Sequence, residues 1–262
     1  MEFSKLLKDL NLPDTVIQAL ENRRDLFRVH HDLIVAMTKQ ETASSACQDL
    51  MKAMGEDDLG LLACQLYAAC MTRENYRRAG VSDSIFLDTM GCFRRFLYEA
   101  ERRTGRMWFD RGWWTWRQLS MRIFRIGQLE YELFEDLHAI AMHIPSDSDI
   151  SGENVDRSID QAKAFVPRYF PDYADAPFGC ESWLLSPSLR DFLEDGSRIR
   201  AFQDRFFLIH VDPQPKDEWE WLFAVPEDTP VDQLPERTSL QRKVKKHLLS
   251  GGSIGVARGI LK

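Results

Sequence analysis

Through the first 118 residues, apolar positions recur at helical spacing and are interrupted by short polar turns. Leu6, Leu7 and Leu10 lead to a break at Leu12-Pro13, after which Asp14 is placed to cap a helix carrying Val16, Ile17 and Leu20. Further helical stripes pass through Ile34, residues 50–54 and residues 59–71. Ser82 or Asp83 opens a longer helix with Phe86, Met90, Phe93 and Leu97 on one face, stopped near Thr104-Gly105. Strict alternation is absent here, so residues 1–118 are expected to form an all-helical domain. Residues 107–119 then gather Trp108, Phe109, Trp113, Trp114 and Trp116, a density expected of the packed seam between two domains.

From residue 119 the period changes to that of a sheet. Residues 123–133 alternate, and the apolar phase moves from Phe124 and Ile126 to Leu129, Tyr131 and Leu133, which predicts a β-bulge at Gly127. Further strands are expected at 139–144, 179–185, 206–211, 220–225 and 253–261. Between them, one helix carries Val155, Ile159, Ala162 and Val166 up to Pro167, and another spans 189–202 with a break near Gly196. Thr238-x-x-Gln241 is a capping box opening a helix that Gly251-Gly252 closes. Residues 144–159 and 225–240 also match at a constant offset: Ile144-Pro145 parallels Val225-Pro226, and Ser158-Ile159 parallels Ser239-Leu240. The expected fold is therefore α+β or α/β, with residues 119–262 forming a mixed sheet around a duplicated strand–loop–helix–strand unit.

Charge alters this picture only locally. The net charge is −7. Residues 1–118 balance 17 basic against 17 acidic side chains, residues 119–236 hold 10 against 24, and residues 237–262 hold seven against none. A basic segment beside an acidic one suggests a localised anion site, and no nucleic-acid partner is expected. No run is long enough for a membrane span, and the polar start does not read as a signal peptide. The five cysteines form no C-x-x-C pair, which fits a reducing cytoplasm and predicts neither disulfide framework nor metal site.

Candidate chemistry sits at strand–loop–helix junctions, where a helix start offers unpaired N–H groups to an anion. Arg237, Thr238, Ser239, Gln241, Arg242 and Lys243 surround one such start and suit a phosphorylated ligand. Glu130, beside Glu132 on one face of a strand, and His143, ending the next strand, are candidate general bases. Cys180 and Ser182 alternate on a third strand, without the Cys-His or G-x-S-x-G pattern of a covalent nucleophile.

The residues Trp116 to Leu119, Phe124-Arg125-Ile126-Gly127-Gln128-Leu129-Glu130-Tyr131-Glu132 and His143-Ile144-Pro145 resemble the signature of a bacterial acyltransferase family. So do Cys180-Glu181-Ser182-Trp183-Leu184-Leu185-Ser186-Pro187 and Leu234-Pro235-x-x-Thr238-x-Leu240-Gln241-Arg242. Its members join a helical N-acyltransferase N-terminal domain to a GNAT-like C-terminal domain. The resemblance implies acyl-coenzyme A as donor substrate, a small amine or similar nucleophile as acceptor, and no metal. It also implies a donor pyrophosphate on a helix N-terminus and a base that deprotonates the acceptor; in such a reaction Cys180 or Ser182 is the candidate proton donor to the leaving thiolate. The R/Q-x-x-G-x-G/A loop usual in N-acetyltransferases is not present in this chain. The second reading is a GNAT-like ligand- or partner-binding protein without catalysis.

Overall fold

The computed structural model describes Glu2–Lys262, which divide into two compact units, residues 1–126 and 127–262. The first contains helices α1 (Glu2–Asp9), α2 (Asp14–Glu21), α3 (Leu26–Val29), α4 (His31–Ala36), α5 (Ala43–Met54), α6 (Asp58–Arg78), α7 (Asp83–Met90), α8 (Cys92–Thr104) and α9 (Trp116–Leu119). A short strand, β1 (Ile123–Ile126), follows. Helix α6 is its axis, because Leu61, Leu62, Cys64, Leu66, Ala69, Thr72 and Tyr76 leave it buried on every side. Asp57 caps α6 by accepting from Gly60 N–H, and Arg23 holds Asp57 at 3.0 Å.

The helix expected from Ser82 to Thr104 is two helices. Ser82 Oγ does accept from Ile85 N–H, and Gly105 does end the second at φ 72°, but the chain breaks at Gly91. The aromatic segment is tied to α6 by buried polar groups. Gln65 Nε2 donates to the Gly112 carbonyl (2.8 Å), Thr115 Oγ1 donates to Gln65 Oε1 (2.6 Å), and Thr72 Oγ1 donates to the Leu119 carbonyl (2.6 Å).

The second unit holds β2 (Leu129–Phe134), β3 (Ala139–His143), α10 (Gly152–Tyr169), β4 (Phe178–Ser182), α11 (Pro187–Arg190) and α12 (Arg198–Gln203). It continues through β5 (Phe206–Asp212), α13 (Asp217–Trp221), α14 (Ser239–Leu249) and β6 (Val256–Leu261). Its strands lie in the order β2-β3-β4-β6-β5. Only β3 and β4 pair in parallel, and α10 makes the crossover between them. Val155, Ile159, Ala162 and Val166 are the buried stripe of α10, and its Ser158 Oγ meets the Tyr131 hydroxyl at 3.0 Å.

Several expectations are corrected here. Gly127 (φ 65°) and Gln128 form a turn rather than a bulge, and a new strand starts at Leu129. Pro167 lies inside α10, which continues to Tyr169. Residues 183–185 leave the sheet as a 3₁₀ turn. Residues 220–225 are not a strand: Trp219 and Phe223, one helical turn apart, enter a buried cluster with Trp183, Ile254 and Val256. The chain turns back there, with Phe223 N–H donating to Glu218 O and Val225 N–H to Trp219 O. The second half of the proposed duplication therefore lacks its first strand. The two stretches share a Pro-bearing loop before a helix, not a repeated fold unit.

Glu218, which precedes Trp219 of this cluster, is 1% exposed, and its Oε2 is buried without a hydrogen-bond partner. Burial, with a smaller contribution from Asp217, pushes its pKa up from 4.5 to about 7. The folded state thus keeps a proton that the unfolded chain releases. This contribution to stability is whole below pH 4.5 and is lost as pH rises to about 7, a change of about 3 kcal/mol. Glu218→Gln is expected to raise the denaturation midpoint relative to wild type at about pH 8 and to leave it unchanged at about pH 4. Urea melts at both pH values check it, and an equal effect at both would contradict it.

Candidate active site

Strand register decides which candidate side chains meet. Glu130 lies opposite His143, Glu132 opposite Ala141, Ala141 opposite Gly179, and Glu181 opposite Arg258. Because successive side chains alternate across a sheet, these residues share one face. Tyr131, Met142, Cys180 and Ser182 belong to the other, which Ser158 of α10 touches through Tyr131. Glu130 and His143 are thus brought together, whereas Cys180 and Ser182 are separated from them by the sheet. Burial pushes the Cys180 thiol up to about 12, which keeps it a neutral thiol, and Ser182 Oγ accepts from Leu184 N–H.

The first face has a definite layout. His143 Nε2 stands 2.9 Å from Glu132 Oε2, and Glu132 is 6% exposed. Glu130 is buried beside them. Next to this acid–imidazole pair, Ala141 and Gly179 leave the sheet surface almost bare. Beyond them Arg258 Nε donates to Glu181 Oε2 at 2.6 Å. The β3–β4 register runs from Ile140↔Phe178 to Met142↔Cys180. After it His143 remains with β2 and Glu181 with β6, so the two parallel strands follow opposite neighbours at this end.

Two helix starts differ in what they offer an anion. At α14, Thr238 Oγ1 accepts from Gln241 N–H, while Gln241 Oε1 accepts from Arg237 and Thr238 N–H: the expected capping box fills the site with its own side chains. Arg242 donates to the Glu236 carbonyl and Lys243 to the Phe192 carbonyl. A cleft of about 320 Å³ beside Ser239 and Lys243 also holds Glu194 and Asp195. The start of α10 is different. It is the first helix after β3, reached through residues 144–151; Gly152 has no side chain and the Ser151 side chain makes no cap bond, while Asp149 accepts from Ser151 N–H and from Asn154 Nδ2. Arg198 stands there, 3.1 Å from Asp149, with Arg205 donating to the Gly152 carbonyl. Among the described residues no helix is long and apolar enough to cross a membrane, and no group of His, Cys, Asp and Glu is placed to hold a metal ion.

Sequence reading missed the His143–Glu132 contact and the Glu181–Arg258 pair. Glu132 was visible only as the neighbour of Glu130 along one strand; its partner depends on the register with β3.

A helical N-terminal region followed by a mixed six-stranded sheet, with its last strand inserted beside β4, defines an N-acetyltransferase-like class of protein. The model of the GNAT-like C-terminal domain matches residues 115–261, more than half of the chain, and that of the N-acyltransferase N-terminal domain matches residues 1–121. The chain belongs to this N-acyltransferase family with a GNAT-like C-terminal domain. Its fold is similar to an acyltransferase solved in complex with decanoyl-CoA and teicoplanin, at TM-score 0.83 and 22% identity over 98% of this chain and 86% of that one. A mutant acyltransferase in complex with octanoyl-CoA matches at TM-score 0.82 and 21% identity, again over 98% and 86%. An acyltransferase in complex with CoA and 10C-teicoplanin matches at 0.73 and 20%, over 100% of this chain and 99% of that one. A search of curated proteins finds no significant match.

Proposed function

We propose that this protein is an acyl-coenzyme A-dependent N-acyltransferase of the cytoplasm, moving an acyl group to a small-molecule amine. The observation that carries the reading is the Glu132–His143 pair beside the bare Ala141–Gly179 surface, at the end where β3 and β4 part. A slender pantetheine chain would pass over Ala141 and Gly179, the two small residues of a face that otherwise carries larger side chains. His143 takes the proton of the acceptor amine, whose nitrogen attacks the thioester carbon. The C–S bond then breaks, and the proton passes from the imidazolium to the leaving thiolate. Glu132 orients the ring and offsets its positive charge during transfer. Cys180 and Ser182, on the other face, are not needed for this proton path.

For the donor phosphates we favour the start of α10 over the Arg237–Lys243 segment of α14, for two reasons. The first helix start is the next one after His143, reached through the loop of residues 144–151, and its N-cap Ser151 makes no side-chain cap bond. Arg198→Ala is therefore expected to weaken decanoyl-coenzyme A binding by about tenfold or more, as loss of one charge-assisted hydrogen bond does. Arg237→Ala with Arg242→Ala is expected to leave it within about twofold. Isothermal calorimetry reads both, and the reverse order would return the phosphate site to α14. The family assignment makes acyl-coenzyme A the first donor to titrate. Absence of binding by acetyl-, octanoyl- and decanoyl-coenzyme A at millimolar concentration would defeat the transferase reading.

A further inference from the structure

The sheet face that carries His143 continues past Gly179. Gly179 lies opposite Ile260 of β6, and Ile260 opposite Phe207 of β5, so Glu132, Ala141, Gly179, Ile260 and Phe207 form one row. The adjoining row ends in Glu181, Arg258 and His210. A register shift between Leu208 and His210 makes Ile209 the extra residue of a β-bulge, which is why Phe207 and His210 share this face although three apart. Leu208 and Val211 belong to the other face. Past Gly179 the first row turns apolar and open, with Ile260 38% exposed and Phe207 63%. Strands lie about 4.8 Å apart, so a nitrogen held over the β3–β4 gap is about 7 Å from Ile260 and about 12 Å from Phe207 along the row.

Openness and charge select the occupant. An acyl chain is held best by a cavity that closes round it, whereas this row is open along one side. The adjoining row supplies what an amine needs. Glu181 follows Cys180 as His143 follows Met142, so its carboxylate stands across the β3–β4 gap from the imidazole. Asp217 of α13 lies near it: burial, and after it the Glu181 and Glu227 charges, raise the Asp217 pKa. Arg258 balances one of these acids, through its bond to Glu181. The excess of carboxylates favours an acceptor that arrives as an ammonium ion, and the apolar row beside them favours one with an apolar body.

We propose that Ile260 and Phe207 seat the apolar body of the acceptor, which makes the substrate a primary amine extended by an aromatic or aliphatic group. The inference rests on the transferase reading above. With decanoyl-coenzyme A as donor, 4-phenylbutylamine is expected to show a kcat/KM about tenfold or more above that of ethylamine. Phe207→Ser and Ile260→Ser are each expected to lower that ratio by about five- to tenfold, through KM. Val211→Ser, also exposed but on the opposite face, is expected to leave the ratio unchanged. Equal kcat/KM for the two amines, or a ratio that the Phe207 and Ile260 variants leave intact, would overturn the proposal while thiol release still supported a transferase. Weaker binding of decanoyl-coenzyme A by those variants, with acetyl-coenzyme A unaffected, would assign the row to the acyl chain and overturn it too. Failure of every donor to bind wild type would remove the transferase reading and the proposal with it.

Discussion

His143→Gln is expected to lower acyl transfer by about 10²–10⁴-fold, the usual contribution of a positioned general base. The donor's dissociation constant should stay within about twofold. The two effects separate because His143 Nε2 faces Glu132 at 2.9 Å beside the proposed acyl-transfer surface, whereas the start of α10 is the proposed phosphate site. Glutamine keeps a polar group near Glu132 and so limits damage to the fold, but it takes up no proton. Glu132→Gln is expected to cost less, about 10–100-fold, because it removes the charge that holds the imidazole without removing the imidazole itself. Single-turnover kinetics with decanoyl-coenzyme A and calorimetry on the same samples check both parts. A fall in donor affinity with an unchanged rate would assign His143 to binding instead.

Gly255→Ala should be the most damaging substitution at a residue without a side chain. Gly255 has φ 69° and leads into β6, where a Cβ would stand 2.2 Å from the Asp212 carbonyl oxygen and 2.6 Å from Pro213 Cα. Both neighbours are backbone at the end of β5, so relief requires β5 and β6 to separate. The positive φ adds a cost of its own for any L side chain, and together these come to about 3 kcal/mol or more. Gly251→Ala is the internal control. Its φ is 86°, but a Cβ there meets nothing within 4 Å, so a loss of about 1 kcal/mol is expected. Thermal or urea denaturation of both variants measures the difference. Equal losses would mean that backbone conformation, not the close approach to Asp212, makes glycine necessary at Gly255.

Local signals in the chain translated well where the physics is local. The Thr238–Gln241 capping box, the Ser82 cap and the Gly105 stop each depend on a few neighbouring residues and appear in the structure. Signals that depend on tertiary partners were ambiguous. Trp219 and Phe223 are as compatible with a strand as with one helical turn until Trp183 and Ile254 supply a buried cluster to receive them. Pro167 does not stop α10 but stands in its last turn, where it removes the N–H that would bond to the carbonyl four residues earlier, and the helix ends at Tyr169. For the site, residue type singled out His143 and Glu130, but face and partner were invisible. Only the β2–β3 and β3–β4 registers join His143 with Glu132 and divide them from Cys180 and Ser182. At α14 the sequence shows the basic residues but not their engagement: the capping residues and two of the cations bond to their own neighbours.

The most direct test is consumption of decanoyl-coenzyme A, followed as free thiol released, in the presence of a panel of primary amines. Wild type is expected to release thiol in step with an acylated amine, and His143→Gln to bind the donor but release it at a rate lower by at least about 10²-fold. Thiol release by His143→Gln at the wild-type rate would contradict the account.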